Sequence, residues 1–170
     1  MPGSGVIDHR ALLEATQAED AEAIATHLRQ YESLDLVDAN GQTLLMLICA
    51  LERPGGGMVR QLLNHQADPN IVDHAGVAAL GYAIKAGNDD AELVFWLLHW
   101  GADVHHADNN GTTALHLACS ANHVQTVQVL LKSGACPRRP TSSGITAFDL
   151  AHALPLNSSP NVLEALAQYA

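Results

Sequence analysis

The chain is short of aromatic residues, with two Phe, two Trp and three Tyr among 170 positions. Its core must be filled by Ala, Leu, Val and Ile, the usual stock of packed helices. The length is that of one domain able to bury a substantial core. Basic residues are also scarce: eight Lys and Arg face eighteen Asp and Glu, a formal charge of −10. Such a chain repels phosphate backbones and anionic lipid, so neither nucleic acid nor a membrane is expected as partner. The three cysteines, Cys49, Cys119 and Cys136, form no C-x-x-C pair and supply neither a disulfide framework nor a zinc quartet. A reducing cytoplasm is the expected location. The longest apolar run, Leu44 to Leu51, is too short to span a bilayer, and residues 1–7 show no export signal and are expected to be disordered.

Catalytic signatures are missing as well. The sequence has no G-x-S-x-G, H-E-x-x-H, P-loop or dinucleotide fingerprint, so no enzyme and no cofactor are expected. Gly55-Gly56-Gly57 is preceded by no strand and followed by no Lys, which argues for a mobile inter-helix loop over a phosphate cradle.

What is present is a period. Asp38, Asp73 and Asp108 are spaced by 35 and 35 residues, and Gly41, Gly76, Gly111 and Gly144 by 35, 35 and 33. Leu62-Leu63, Leu97-Leu98 and Leu130-Leu131 keep the same intervals, as do Ala67, Ala102 and Ala135. Each unit opens on a turn with Asp and Gly, followed by a short helix that Thr43, Thr113 or Thr146 can cap. In the third unit a second helix begins near Val124, with Val124, Val127, Leu130 and Leu131 on one side, and ends at the C-cap Gly134. Cys49 and Cys119 fall at equivalent positions, where a small buried side chain is wanted and the thiol is inert.

Thr113-Ala114-Leu115-His116-Leu117-Ala118 resembles the T-P-L-H-x-A motif of ankyrin repeats, and Leu130-Leu131-Lys132-Ser133-Gly134-Ala135 their L-L-x-x-G-A. Leu97-Leu98-His99-Trp100-Gly101-Ala102 and Leu62-Leu63-Asn64-His65-Gln66-Ala67 repeat the second motif, and Gly144-Ile145-Thr146-Ala147 the start of a last unit. The resemblance implies an all-α ankyrin-repeat solenoid of about five stacked helix pairs over residues 8–170, with units 8–37, 38–72, 73–107, 108–140 and 141–170. Residues 8–33 and the helix opened by Ser159-Pro160 are expected to be the polar caps. It also implies a buried, hydrogen-bonded His116. The second unit departs from the motif: Ala78-Ala79-Leu80-Gly81 removes the Thr cap and weakens that helix start. The surplus residues of the longer units fall at Glu52–Gly57 and Gly87–Asp90.

In such a solenoid the turn tips and first helices line the concave side. The non-structural positions there are the protein-binding candidates: Asn40, Gln42, His74, Val77, Asn109, Asn110, Thr112, Ser142 and Ile145 on the tips, with Leu51, Lys85 and Ser120 on the first helices. Trp96 is expected in the core and Trp100 partly exposed, as a separate anchor. The reading is a monomeric adaptor or inhibitor whose protein partner carries a basic surface. The alternative is a metal-binding or metal-responsive protein using the His-rich second and third units. His105-His106 is the tempting pair, but adjacent residues of an extended turn point apart and zinc needs three or four convergent ligands.

Overall fold

The computed structural model describes residues 33–51, 56–153 and 160–169. The expected N-terminal helix pair, loop residues 52–55 and the Ser159 cap lie outside the described residues. Eight helices are described: α1 (Leu44–Cys49), α2 (Gly56–Asn64), α3 (Ala79–Lys85), α4 (Ala91–His99), α5 (Ala114–Ser120), α6 (Val124–Lys132), α7 (Ala147–Ala153) and α8 (Pro160–Ala167). Gly56 and Gly57, expected in a loop, form the first turn of α2.

The odd-numbered helices stack in one layer, α1 on α3 on α5 on α7. The even-numbered helices stack in a second, and each odd helix packs on the even helix that follows it. One core runs between the layers from Leu44 to Leu166, with Ala79, Ala83, Ala114, Ala118, Ala147 and Ala151 on the odd helices. Alanine at these places lets neighbouring helices approach closely and costs little side-chain entropy.

Helix starts follow the residues available. The Thr43 hydroxyl accepts from the Met46 amide at 3.3 Å. At α7, Asp149 Oδ2 accepts from the Thr146 amide at 2.8 Å while Thr146 Oγ1 accepts from the Asp149 amide at 3.3 Å, a reciprocal box. His116 is buried, and its Nδ1 accepts from the Thr113 amide at 3.2 Å and lies 2.8 Å from Thr113 Oγ1, which places the ring proton on Nε2. The imidazole therefore braces its own helix start before any neighbouring turn. Burial lowers its basicity, opposed by the backbone of Ile145 and Arg139, although among the described residues Nε2 has no partner at hydrogen-bond distance. Ala78 makes no side-chain cap, as its identity dictates. Asp89 reaches across to the next unit, its two oxygens accepting from the Gln125 and Thr126 amides at 2.9 and 2.8 Å to cap α6.

Helices α2, α4 and α6 end alike. After α6, the Gly134 amide bonds to Leu131 O and the Ala135 amide to Leu130 O, with Gly134 at φ +94°. Gly101 ends α4 in the same way at φ +91°. After α2 the left-handed position falls to Gln66, at φ +66°, where a side chain is strained.

Aspartates build the tips. Oδ1 of Asp38 accepts from the amides of Asn40 and Gln42 at 2.8 and 2.9 Å, and Asp73 and Asp108 repeat the pattern. Successive tips are then tied by backbone: His74 N to Asn40 O at 3.3 Å, Asn109 N to Ala75 O at 3.1 Å, Ser142 N to Asn110 O at 2.9 Å. A glycine at each junction makes room. A Cβ on Gly111, which has φ +75°, would stand 2.8 Å from the Ser142 amide nitrogen.

Gly111→Val is expected to cost about 2 kcal/mol or more through backbone strain and loss of this junction. Gln66→Gly is expected to gain up to about 1 kcal/mol by relieving an unfavourable φ. Thermal denaturation of the two variants checks both, and melting temperatures on the same side of wild type would contradict the assignment.

Candidate protein-binding face

The tips and odd helices carry the side chains that the core leaves unused. Asn40, His74, Asn109, Asn110, Ser142 and Ile145 stand exposed along the tips. Gln42 and Thr112 are half-buried beside them. Lys85 and Ser120 are exposed at the last residues of α3 and α5, and Leu51 is half-buried after α1. Val77 does not join this row, and Trp100, expected as a separate anchor, lies apart from it. Val77 is only 6% exposed, packed where a Cβ on Gly81 would meet its Cγ1 at 2.8 Å, so it anchors its tip to α3. Trp100 is 40% exposed but follows α4, in the other layer.

Several of the exposed side chains are held in place. Asn109 Nδ2 donates to His74 O at 3.1 Å, crossing from one tip to the next. Gln42 Nε2 donates to the Tyr82 hydroxyl, which donates to Asp73 Oδ2 at 2.6 Å. This chain joins the first tip, α3 and the second tip. Burial alone would raise the Asp73 carboxyl, but hydrogen bonds from Tyr82, Val77 and Ala75 and the charge of Lys85 bring it below the usual range. Tyr82 is pushed up by burial and by its bond to Asp73, against the donor Gln42.

Tyr82 was not among the expected site residues. It occupies the position four after the helix-start Thr or Ala, which elsewhere holds Leu47, Leu117 and Leu150, and all four are half-buried. A polar-tipped ring in a row of leucines was the available signal.

Chemistry beyond binding finds little support among these groups. Burial pushes the thiols of Cys49 and Cys119 up to about 12, so neither is a ready nucleophile; the charge of Asp90 adds to the effect at Cys49. His106 Nε2 lies 2.7 Å from Gly76 O, while His105 is exposed. Among the described residues no group of three or more His, Cys, Asp or Glu is placed to hold a metal ion. No helix among them is long and apolar enough to cross a membrane.

Two layers of helices in translational order, with backbone-tied tips above the odd layer, define a repeat solenoid of the protein-binding class. The chain belongs to the ankyrin-repeat family: a family model described as ankyrin repeats in three copies matches residues 12–105 and 86–170. It is similar to transient receptor potential cation channel subfamily A member 1 of Homo sapiens, 36% identical over 106 residues, 62% of this chain and 9% of that protein. It is also similar to protein phosphatase 1 regulatory subunit 27 of Mus musculus, 41% identical over 66 residues, 39% of this chain and 42% of that protein. NF-kappa-B inhibitor delta of Mus musculus is 30% identical over 122 residues, 72% of this chain and 36% of that protein. The chain thus spans less than half the length of each of these relatives. Repeats of this family mediate protein–protein interaction and are typically non-enzymatic.

Tyr82→Phe removes the donor to Asp73 and is expected to cost about 1 kcal/mol at pH 7. A lowered carboxyl contributes stability above the ordinary range that is lost as pH falls through its folded-state value. The difference between wild type and variant should therefore shrink below about pH 4. Denaturation across pH checks this, and a constant difference down to pH 2 would contradict it.

Proposed function

We propose that the chain is an adaptor or inhibitor that grips a folded protein with its tips and odd helices. The observation that carries this reading is the row of exposed polar side chains set on tips whose backbones bond to one another. Fixed tips lower the ordering cost of association, which otherwise consumes much of the contact energy. Asn40, Asn109, Asn110 and Ser142 offer donors and acceptors along the row, Ile145 an apolar contact, and Lys85 a cation at the end of α3. The row of Leu47, Tyr82, Leu117 and Leu150 beneath them supplies the apolar floor that an interface core needs.

The partner carries a basic surface. Support comes from the charge of −10, whose excess lies entirely within residues 1–107, where fifteen acidic residues face five basic ones. The names of two relatives, a regulatory subunit and an inhibitor, accord with an adaptor or inhibitor role. In this reading the chain acts as a cytoplasmic monomer, with residues 8–37 and 141–170 as end units. The metal-binding alternative has no geometric observation in its favour, since His106 is engaged with Gly76 and His105 faces solvent.

The test is affinity capture from native cytosol, comparing wild type with the triple substitution Asn40→Lys, Asn110→Lys and Ser142→Lys. These side chains are exposed, so the melting temperature should change little, while recovery of a specific partner should fall at least about tenfold, as loss of more than 1.4 kcal/mol implies. Undiminished capture of the same partner by a folded triple variant would overturn the assignment of the face.

A further inference from the structure

The even layer holds a second surface that the stacking does not require. At equivalent positions of α2, α4 and α6 the first and third units carry Arg60 and Gln128, Gln61 and Val129, Asn64 and Lys132, and His65 and Ser133. In the second unit these places are taken by Phe95, Trp96, His99 and Trp100. Phe95 is 51% exposed and Trp100 40%, so the rings are not there to fill the core. Leu93, Val94 and Leu97 do that from the opposite side of α4. Trp96, expected in the core, lies half-exposed instead, its Nε1 donating to Glu92 Oε1 at 3.3 Å. Both tryptophans of an aromatic-poor chain thus sit on one outer surface.

We propose that this outer face of α4 docks an arginine-bearing segment of a protein partner. Three observations select that chemistry. Arg60 Cζ already stands 4.7 Å from the Trp96 ring centroid, so the surface stacks a guanidinium in its own fold. Phe95 and His99 stack nearly parallel at 6.0 Å and 19°, and Trp96 meets both edge-on, while the remaining exposure of Phe95 and of Trp100 offers further platforms. Finally, Asp89, Asp90 and Glu92 lead into α4, which carries no Lys or Arg of its own. Asp89 and Asp90 are fixed by amide bonds, and Glu92 is exposed beside the rings. Ring faces beside carboxylates favour a planar cation that can stack and bond at once, which is arginine more than lysine. This surface is independent of the tips, so either can fail without the other.

The experiment titrates the full chain with an arginine–glycine repeat peptide, a lysine–glycine peptide and a glutamate–glycine peptide. It follows the tryptophan indole N–H signals by NMR and measures affinity by fluorescence. The arginine peptide should shift the Trp100 and Trp96 indoles and bind tighter than the lysine peptide, and the glutamate peptide should shift neither. Phe95→Ser with Trp100→Ser should weaken arginine-peptide binding at least fivefold at an unchanged circular-dichroism melting curve. Glu92→Lys, which leaves the rings in place, should weaken it as well. Full affinity in both folded variants, equal affinity for the lysine peptide, or shifts confined to the tips would overturn the proposal. So would concentration-dependent dimerisation abolished by the double substitution, since the face would then belong to a second copy.

Discussion

Three backbone hydrogen bonds among the described residues carry the regularity of this molecule: each joins a tip amide to the carbonyl of the tip before it. They form only where two turns come within contact distance, and that demands a residue without a Cβ at Gly41, Gly76 and Gly111, each at φ near +75° to +78°. The aspartate three residues earlier makes the turn, folding its carboxylate over two amides. Together they set the spacing of the units, and helix stacking follows. Alanines in the odd layer let helices come as close as the tips require, while leucine pairs in the even layer fill the wider gap behind.

This division decides which residues are free to act. A side chain bonded into a turn, such as Asp108, is committed to the fold. One that projects from a turn already anchored by backbone, such as Asn110, is held in place without being used. Binding surfaces of this kind are rigid because of what lies beneath them, and their specificity can change at little cost in stability. The aromatic face of α4 follows the same logic on the other layer.

Most of the fold was legible in the sequence because its determinants are local and recur. The period of Asp, Gly, paired Leu and Ala predicted the tips, the helices of the described units and the glycine ends, and the missing cap at Ala78 followed from residue identity. Less was legible where contact with another unit decides. Val77 reads as a tip residue, but lacking a partner side chain at Gly81 it sinks against α3. Trp96 reads as core because it lies beside Leu97, yet Arg60 from the preceding unit covers it at the surface. The Gln42–Tyr82–Asp73 chain spans forty residues and has no linear signature. Gly56 and Gly57 read as loop and are helical.

Amide hydrogen exchange in the native state measures the central constraint most directly. If the tips are locked by the bonds between them, the amides of His74, Asn109 and Ser142 will exchange about as slowly as those in the middle of α5. The amide of Ser143, exposed and without a hydrogen-bond partner among the described residues, should exchange far faster. Exchange of all four at the rate of open loops would show that the tips are not tied, and the account of a pre-formed face would fail with them.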